Sequence, residues 1–109
     1  MPIIDLVTAE RVVGDALSVD LASPDVGSAS TVALHFDNFA DGRGYSVARQ
    51  LRRGGFTGRL RATGDSGLDQ LFYLKRCGFD EAELSDAEFA LLKPIHLAPI
   101  PVALQPAVR

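Results

Sequence analysis

Apolar and polar positions alternate on two different periods along this chain, and the period changes mark its elements. Thr31-Val32-Ala33-Leu34-His35-Phe36 is a short, β-branched apolar run and predicts a buried strand. From Tyr45 to Arg53 the spacing lengthens, and Val47, Ala48 and Leu51 fall on one helical face. Gly54-Gly55 stops that helix, and Arg59 to Thr63 predicts a second strand. Leu68, Leu71, Phe72 and Lys75 share the inner side of a second helix, which ends at Gly78. Asp65 or Ser66 can cap it, and Ser66-x-x-Asp69 has the capping-box spacing. A third strand, Glu81 to Leu84, leads into the capping box Ser85-Asp86-Ala87-Glu88 and a short helix to Lys93, before Pro94.

Strand and helix alternating three times predict parallel pairing with right-handed crossovers. The fold expected is a small α/β parallel-sheet domain of three βα units over 31–93. An N-terminal strand region precedes it, with strands at Ile3 to Val7 and Ala16 to Leu21 and a loop over 22–30. The whole of 1–109 is one domain, since this length leaves no room for two. The end, 94–109, has prolines at 94, 99, 101 and 106 interleaved with apolar residues, which predicts a non-helical, extended arm. Such an arm is expected to pack on the domain or on a second subunit, as in a homodimer.

Composition narrows the function classes. Hydrophobic residues make up 47% and charged residues 23%, ordinary values for globular material. No apolar run approaches the roughly 20 residues of a membrane span, and no secretory signal opens the chain. The single cysteine, Cys77, suits a cytoplasmic location and is expected to be a buried thiol. A net charge of −3 argues against a nucleic-acid partner. His35 and His96 lack companions at metal spacing, so no metal is expected, and nothing calls for a cofactor.

Candidate chemistry lies in the loops at the carboxyl ends of the strands, the edge where parallel α/β folds bind ligands. Asp37 to Ser46 and Gly64 to Gln70 are those loops. Their candidate ligand-binding residues are Asp41, Gly42, Arg43, Gly44, Tyr45, Ser46, Gly64, Asp65, Asp69 and Gln70, with Arg61 from the second strand. Arg43 stands between glycines that permit close backbone approach, and helix amino termini favour anions. Two readings compete for the arginines: an oxyanion site, or a structural ion-pair network with Asp37, Asp41, Asp65 and Asp69. Gly42-Arg43-Gly44-Tyr45-Ser46-Val47 also mimics a dinucleotide fingerprint. Val47 replaces its third small residue, and the loop before Gly42 is too long for the tight first turn.

Phe39-x-Asp41-Gly42-Arg43-Gly44-Tyr45-Ser46-x-Ala48-Arg49-x-Leu51-Arg52, then Gly58-x-Leu60-Arg61-Ala62-x-Gly64-Asp65, Asp69-Gln70 and Arg76-Cys77-Gly78-Phe79-Asp80 follow in fixed order. This ensemble, over about 31 to 84, resembles a bacterial family of unknown function encoded beside assimilatory sulfite reductase and often labelled a probable oxidoreductase of sulfite reduction. The chain departs from it at Asp37, where a proline is expected, and at Ala82, where an aromatic is expected. The resemblance implies an accessory protein of assimilatory sulfite or sulfate reduction, non-catalytic on its own, with sulfite reductase or another sulfur-assimilation enzyme as partner. The alternative is a small oxyanion- or nucleotide-binding oxidoreductase component that uses the strand-end loops. No complete catalytic motif decides between them.

Overall fold

The computed structural model describes residues 1–22, 24–37, 42–64 and 67–97. Among the described residues six strands and three α-helices follow in chain order: β1 Ile3–Asp5, β2 Arg11–Val12, β3 Leu17–Val19, β4 Thr31–His35, α1 Arg43–Arg53, β5 Arg59–Thr63, α2 Leu71–Arg76, β6 Glu81–Glu83 and α3 Asp86–Leu91. The strands form one sheet in the order β2-β1-β6-β5-β4-β3. From β3 to β6 every pairing is parallel. The βα alternation requires this for β4, β5 and β6, and β3 joins them in parallel through residues 20–30, with no helix among those described. The sheet is not parallel throughout, because β1 runs antiparallel to both β6 and β2. For the β1–β2 pair the reason is local. Asp5 accepts hydrogen bonds from the amides of Val7 and Thr8, turning the chain sharply, and a strand returning from so short a turn must be antiparallel.

One sheet face is apolar. Ile4, Ala82, Ala62 and Leu34 align across the register and are fully buried with Val32 and Leu60 beneath the helices. Leu71, Leu74 and Phe79 close this core from above. Gly55 and Gly78 end the helices with φ of 99° and 109°, where other residues are strained. Ser85 caps α3 by accepting the Glu88 amide, as its capping box predicts.

The arm opens differently from the expectation. Pro94–Leu97 is a 3₁₀ turn, since a proline at a first helical position loses no hydrogen bond. It packs on α2, and Leu97 is buried in the core. Residues 98–109 and the Ser66 cap lie outside the described residues.

The opposite sheet face is charged. Arg61 Nε donates to Glu81 Oε1 at 2.7 Å, and Arg59 bridges Glu81 and Asp5. Both Arg61, 8% exposed, and Glu81, 1% exposed, lie beneath a strap, residues 13–16, that joins the two edge strands. Arg61 Nη1 holds the strap by donating to the Gly14 carbonyl at 3.1 Å. Val12 and Leu17 are five peptide steps apart, at most about 19 Å. Six flat strands span about 24 Å, so the sheet curls to bring its edges together.

Burial alone would raise the Asp5 carboxyl, but the Thr8 and Val7 amides and the Arg59 guanidinium outweigh it and hold the group below its ordinary 3.8. A depressed folded value gives stability that is present above the unfolded value and lost as pH falls through the folded one. Urea unfolding of the wild type is therefore expected to weaken as pH drops below about 4. Asp5→Asn is expected to remove that share of the acid sensitivity and to cost about 1 kcal/mol at neutral pH. An Asp5→Asn chain as stable as wild type at neutral pH would dissociate Asp5 from β1 anchoring.

Candidate functional site

The strand-end edge is assembled by α1, the turn Leu68–Gln70 that leads into α2, and the ends of β4 and β5. Gly42 is the cap of α1, and its carbonyl accepts the Ser46 amide at 3.0 Å. Thus α1 begins two residues before the Tyr45 expected from the spacing, and Arg43, Gly44, Tyr45 and Ser46 form its first turn. Arg43 and Ser46 are exposed there. Asp41 and Asp65 lie outside the described residues.

Gly44 has a packing function. A Cβ built on it would stand 2.3 Å from the Phe36 ring, so the absent side chain lets α1 settle on that ring. Phe36 stacks in turn on Tyr45 and Phe79, with centroids 5.0 and 5.8 Å away. Gly42 differs, with nothing within 4 Å of its built Cβ. Only one of the two glycines leaves space beside the backbone.

Tyr45 and Gln70 join the two predicted loops, since the Tyr45 hydroxyl donates to Gln70 Oε1 at 3.0 Å. Burial pushes the phenol above its ordinary value, with help from the nearby Cys77, Tyr73 and Asp69. Tyr73 stacks on Tyr45 at 4.8 Å and accepts from Arg49, which also reaches the Cys77 sulfur at 3.4 Å. Cys77 is buried, as expected.

The second loop's amides are engaged within the chain. Gly64 N–H donates to a Glu83 carboxylate oxygen at 2.8 Å, and Leu68 N–H donates to Glu88 at 3.1 Å. Arg61 stands apart from this edge, on the charged sheet face, and its carboxylate partner is Glu81. Among the described residues neither Asp37 nor Asp69 pairs with it, because Arg61 lies beside Glu81 in the β5–β6 register; Asp41 and Asp65 lie outside the described residues. Sequence reasoning missed Glu81, Glu83 and Glu88. The signal was present: Glu81-Ala82-Glu83 repeats Arg59-Leu60-Arg61 with opposite charge at the same period of two.

At the β4 end, His35 Nδ1 lies 3.0 Å from Thr63 Oγ1 and Nε2 lies 3.3 Å from Asp37 Oδ1. A shallow recess of about 260 Å³ is lined there by Val19, Asp20, Leu21, Ala22, His35, Asp37 and Arg43. Among the described residues no cluster of His, Cys, Asp or Glu could hold a metal, and no helix is long and apolar enough to cross a membrane.

Residues 12–109 match a bacterial protein family of unknown function, DUF934. The chain belongs to that family. No curated protein and no solved structure matches it. In this family member, then, the linked motifs around Gly44, Tyr45 and Arg52 are explained first by packing and hydrogen bonding that the structure makes visible.

Proposed function

We propose that the chain is a non-catalytic accessory protein of assimilatory sulfite or sulfate reduction, working in the cytoplasm by contact with sulfite reductase or another sulfur-assimilation enzyme. The setting comes from the motif resemblance. The non-catalytic part rests on one observation: Gly64 N–H and Leu68 N–H, donors aimed where an anion would sit, are engaged by the chain's own Glu83 and Glu88. The Phe36 ring beneath Gly44 supports it, because that glycine serves packing. Full-length tagged protein from cells grown on sulfate is expected to recover a sulfur-assimilation enzyme, and cells grown on cysteine to give less. Recovery of none under sulfate growth would end this reading.

The recess holding His35 and Arg43 favours a second reading, a small oxyanion site in an oxidoreductase component. It is tested by thermal shift with sulfite, sulfate and NADPH. A ligand at a hundredfold excess over its Kd adds about 2.7 kcal/mol, a rise of about ten degrees or more in a domain this small. A rise lost in Arg43→Ala would promote this reading over the first.

A further inference from the structure

We propose that the free edge of β3 is the docking site for the C-terminal segment of a second copy of this chain, exchanged reciprocally in a homodimer. This goes beyond the accessory reading and does not depend on the partner named there.

The sheet has two edges, and they differ in protection. At one edge β2 is two residues long and carries the exposed Arg11. At the other, β3 is Leu17-Ser18-Val19, with no charge and no proline to discourage pairing. Its apolar side chains are only partly covered, and Leu17 is 46% exposed. Past the carboxyl end of β3, against α1, lies a cavity of about 510 Å³, lined by Leu21, Val47 and Gln50 among others. Among the described residues no strand pairs with the outer side of β3, so a seventh strand here would find open backbone groups.

The sequence contains a segment shaped for that place. In Pro99-Ile100-Pro101-Val102-Ala103-Leu104, an extended chain puts Ile100, Val102 and Leu104 on one face. The N–H groups of those same three residues point to one side, while both prolines fall on the other. One side of the strand is therefore competent to pair and the other is blunted. Residues 94–109 carry no acidic side chain, so the segment brings no like side-chain charge against Asp15 and Asp20, which flank β3.

Reach decides whose segment it is. Leu97 is held against α2, where its carbonyl accepts from Lys75 at 3.5 Å, and α2 packs on β6. The position outside β3 lies four strand spacings from β6, about 19 Å along the sheet and about 16 Å straight across its curl. Ile100 is three peptide steps from Leu97, at most about 11 Å. A chain cannot lay its own Ile100 to Leu104 along its own β3. A second copy can, and twofold symmetry then fills both edges at once.

The test places cysteines in the full-length chain: Ser18→Cys combined in turn with Val102→Cys, Ala103→Cys and Leu104→Cys. A disulfide forms only where the two Cα atoms come within about 7 Å. After oxidation and thiol blocking, one pairing is expected to run as a covalent dimer on a non-reducing gel, while each single variant does not. An intrachain link, or no link in any pairing, overturns the proposal. Light scattering is expected to give twice the 11.7 kDa chain mass for the full-length protein. A chain stopped after Leu97, and the full-length double variant Val102→Asp/Leu104→Asp, are each expected to be monomeric with unchanged circular dichroism. The aspartate variant keeps the test open if the shortened chain does not fold. A full-length monomer, or a dimer that survives the aspartates, overturns the proposal.

Discussion

Replacing Arg52 by alanine is expected to lower stability by about 3 kcal/mol, a fall in Tm of about 15 °C for a domain of this size. Its guanidinium makes five hydrogen bonds and leaves no donor group idle. Nε and Nη2 both reach the Gly78 carbonyl, at 3.1 and 2.7 Å. Nη1 reaches the carbonyls of Phe56 and Gly58, at 3.0 and 2.7 Å, and Nη2 pairs with Asp80 at 2.7 Å. These acceptors lie just past the ends of α1 and α2, where carbonyls have no helical partner. Asp80 in turn accepts the Leu60 amide, so the same bonds fix the start of β5. The side chains of Arg52 and Asp80 are 27% and 36% exposed, so water replaces part of what is lost and the sum of five full bonds would overstate the cost. Arg52→Lys keeps the charge but not the planar fork, and is expected to cost about 2 kcal/mol. Urea unfolding measures both. A loss below 1 kcal/mol for the alanine variant would mean that the helix ends are satisfied without this arginine.

Arg52 also shows where sequence reading stops. Its helix was legible, because Val47, Ala48 and Leu51 repeat at helical spacing and Gly54-Gly55 ends the pattern. The role of its side chain was not legible, because none of its acceptors carries a sequence signature: three are backbone carbonyls. β5 was legible to the residue for the opposite reason, since its apolar positions are local and period two. β2 was not, being two residues long, and neither was the strap over Arg61, whose course depends on sheet curl. Pro94 misled in the other direction. It forbids continuation of α3 but readily begins the 3₁₀ turn that brings Leu97 into the core. At the strand-end edge, Tyr45 and Gln70 were identified together and do meet. The carboxylates engaged with Gly64, Leu68 and Arg61 come instead from the third βα unit, and only parallel register brings them there.

Gly44→Ala separates the two meanings of the glycine-rich turn. If this glycine served close approach of a ligand, alanine would spare the fold and weaken binding. With the Phe36 ring 2.3 Å from the added Cβ, the reverse is expected: about 3 kcal/mol of lost stability, since the ring is wedged between Tyr45 and Phe79 and cannot rotate away. Gly42→Ala, with open space beside its Cβ, is the control and is expected to cost under 1 kcal/mol. The clash also predicts a rescue. Phe36→Leu alone is expected to cost about 1.5 kcal/mol, by shrinking the ring cluster. Combined with Gly44→Ala it makes room for the methyl, so the double variant should lie at least 1 kcal/mol above the additive expectation. Additive losses in that cycle would place the cost of Gly44→Ala in the α1 backbone, and the ring would no longer explain why a glycine stands there.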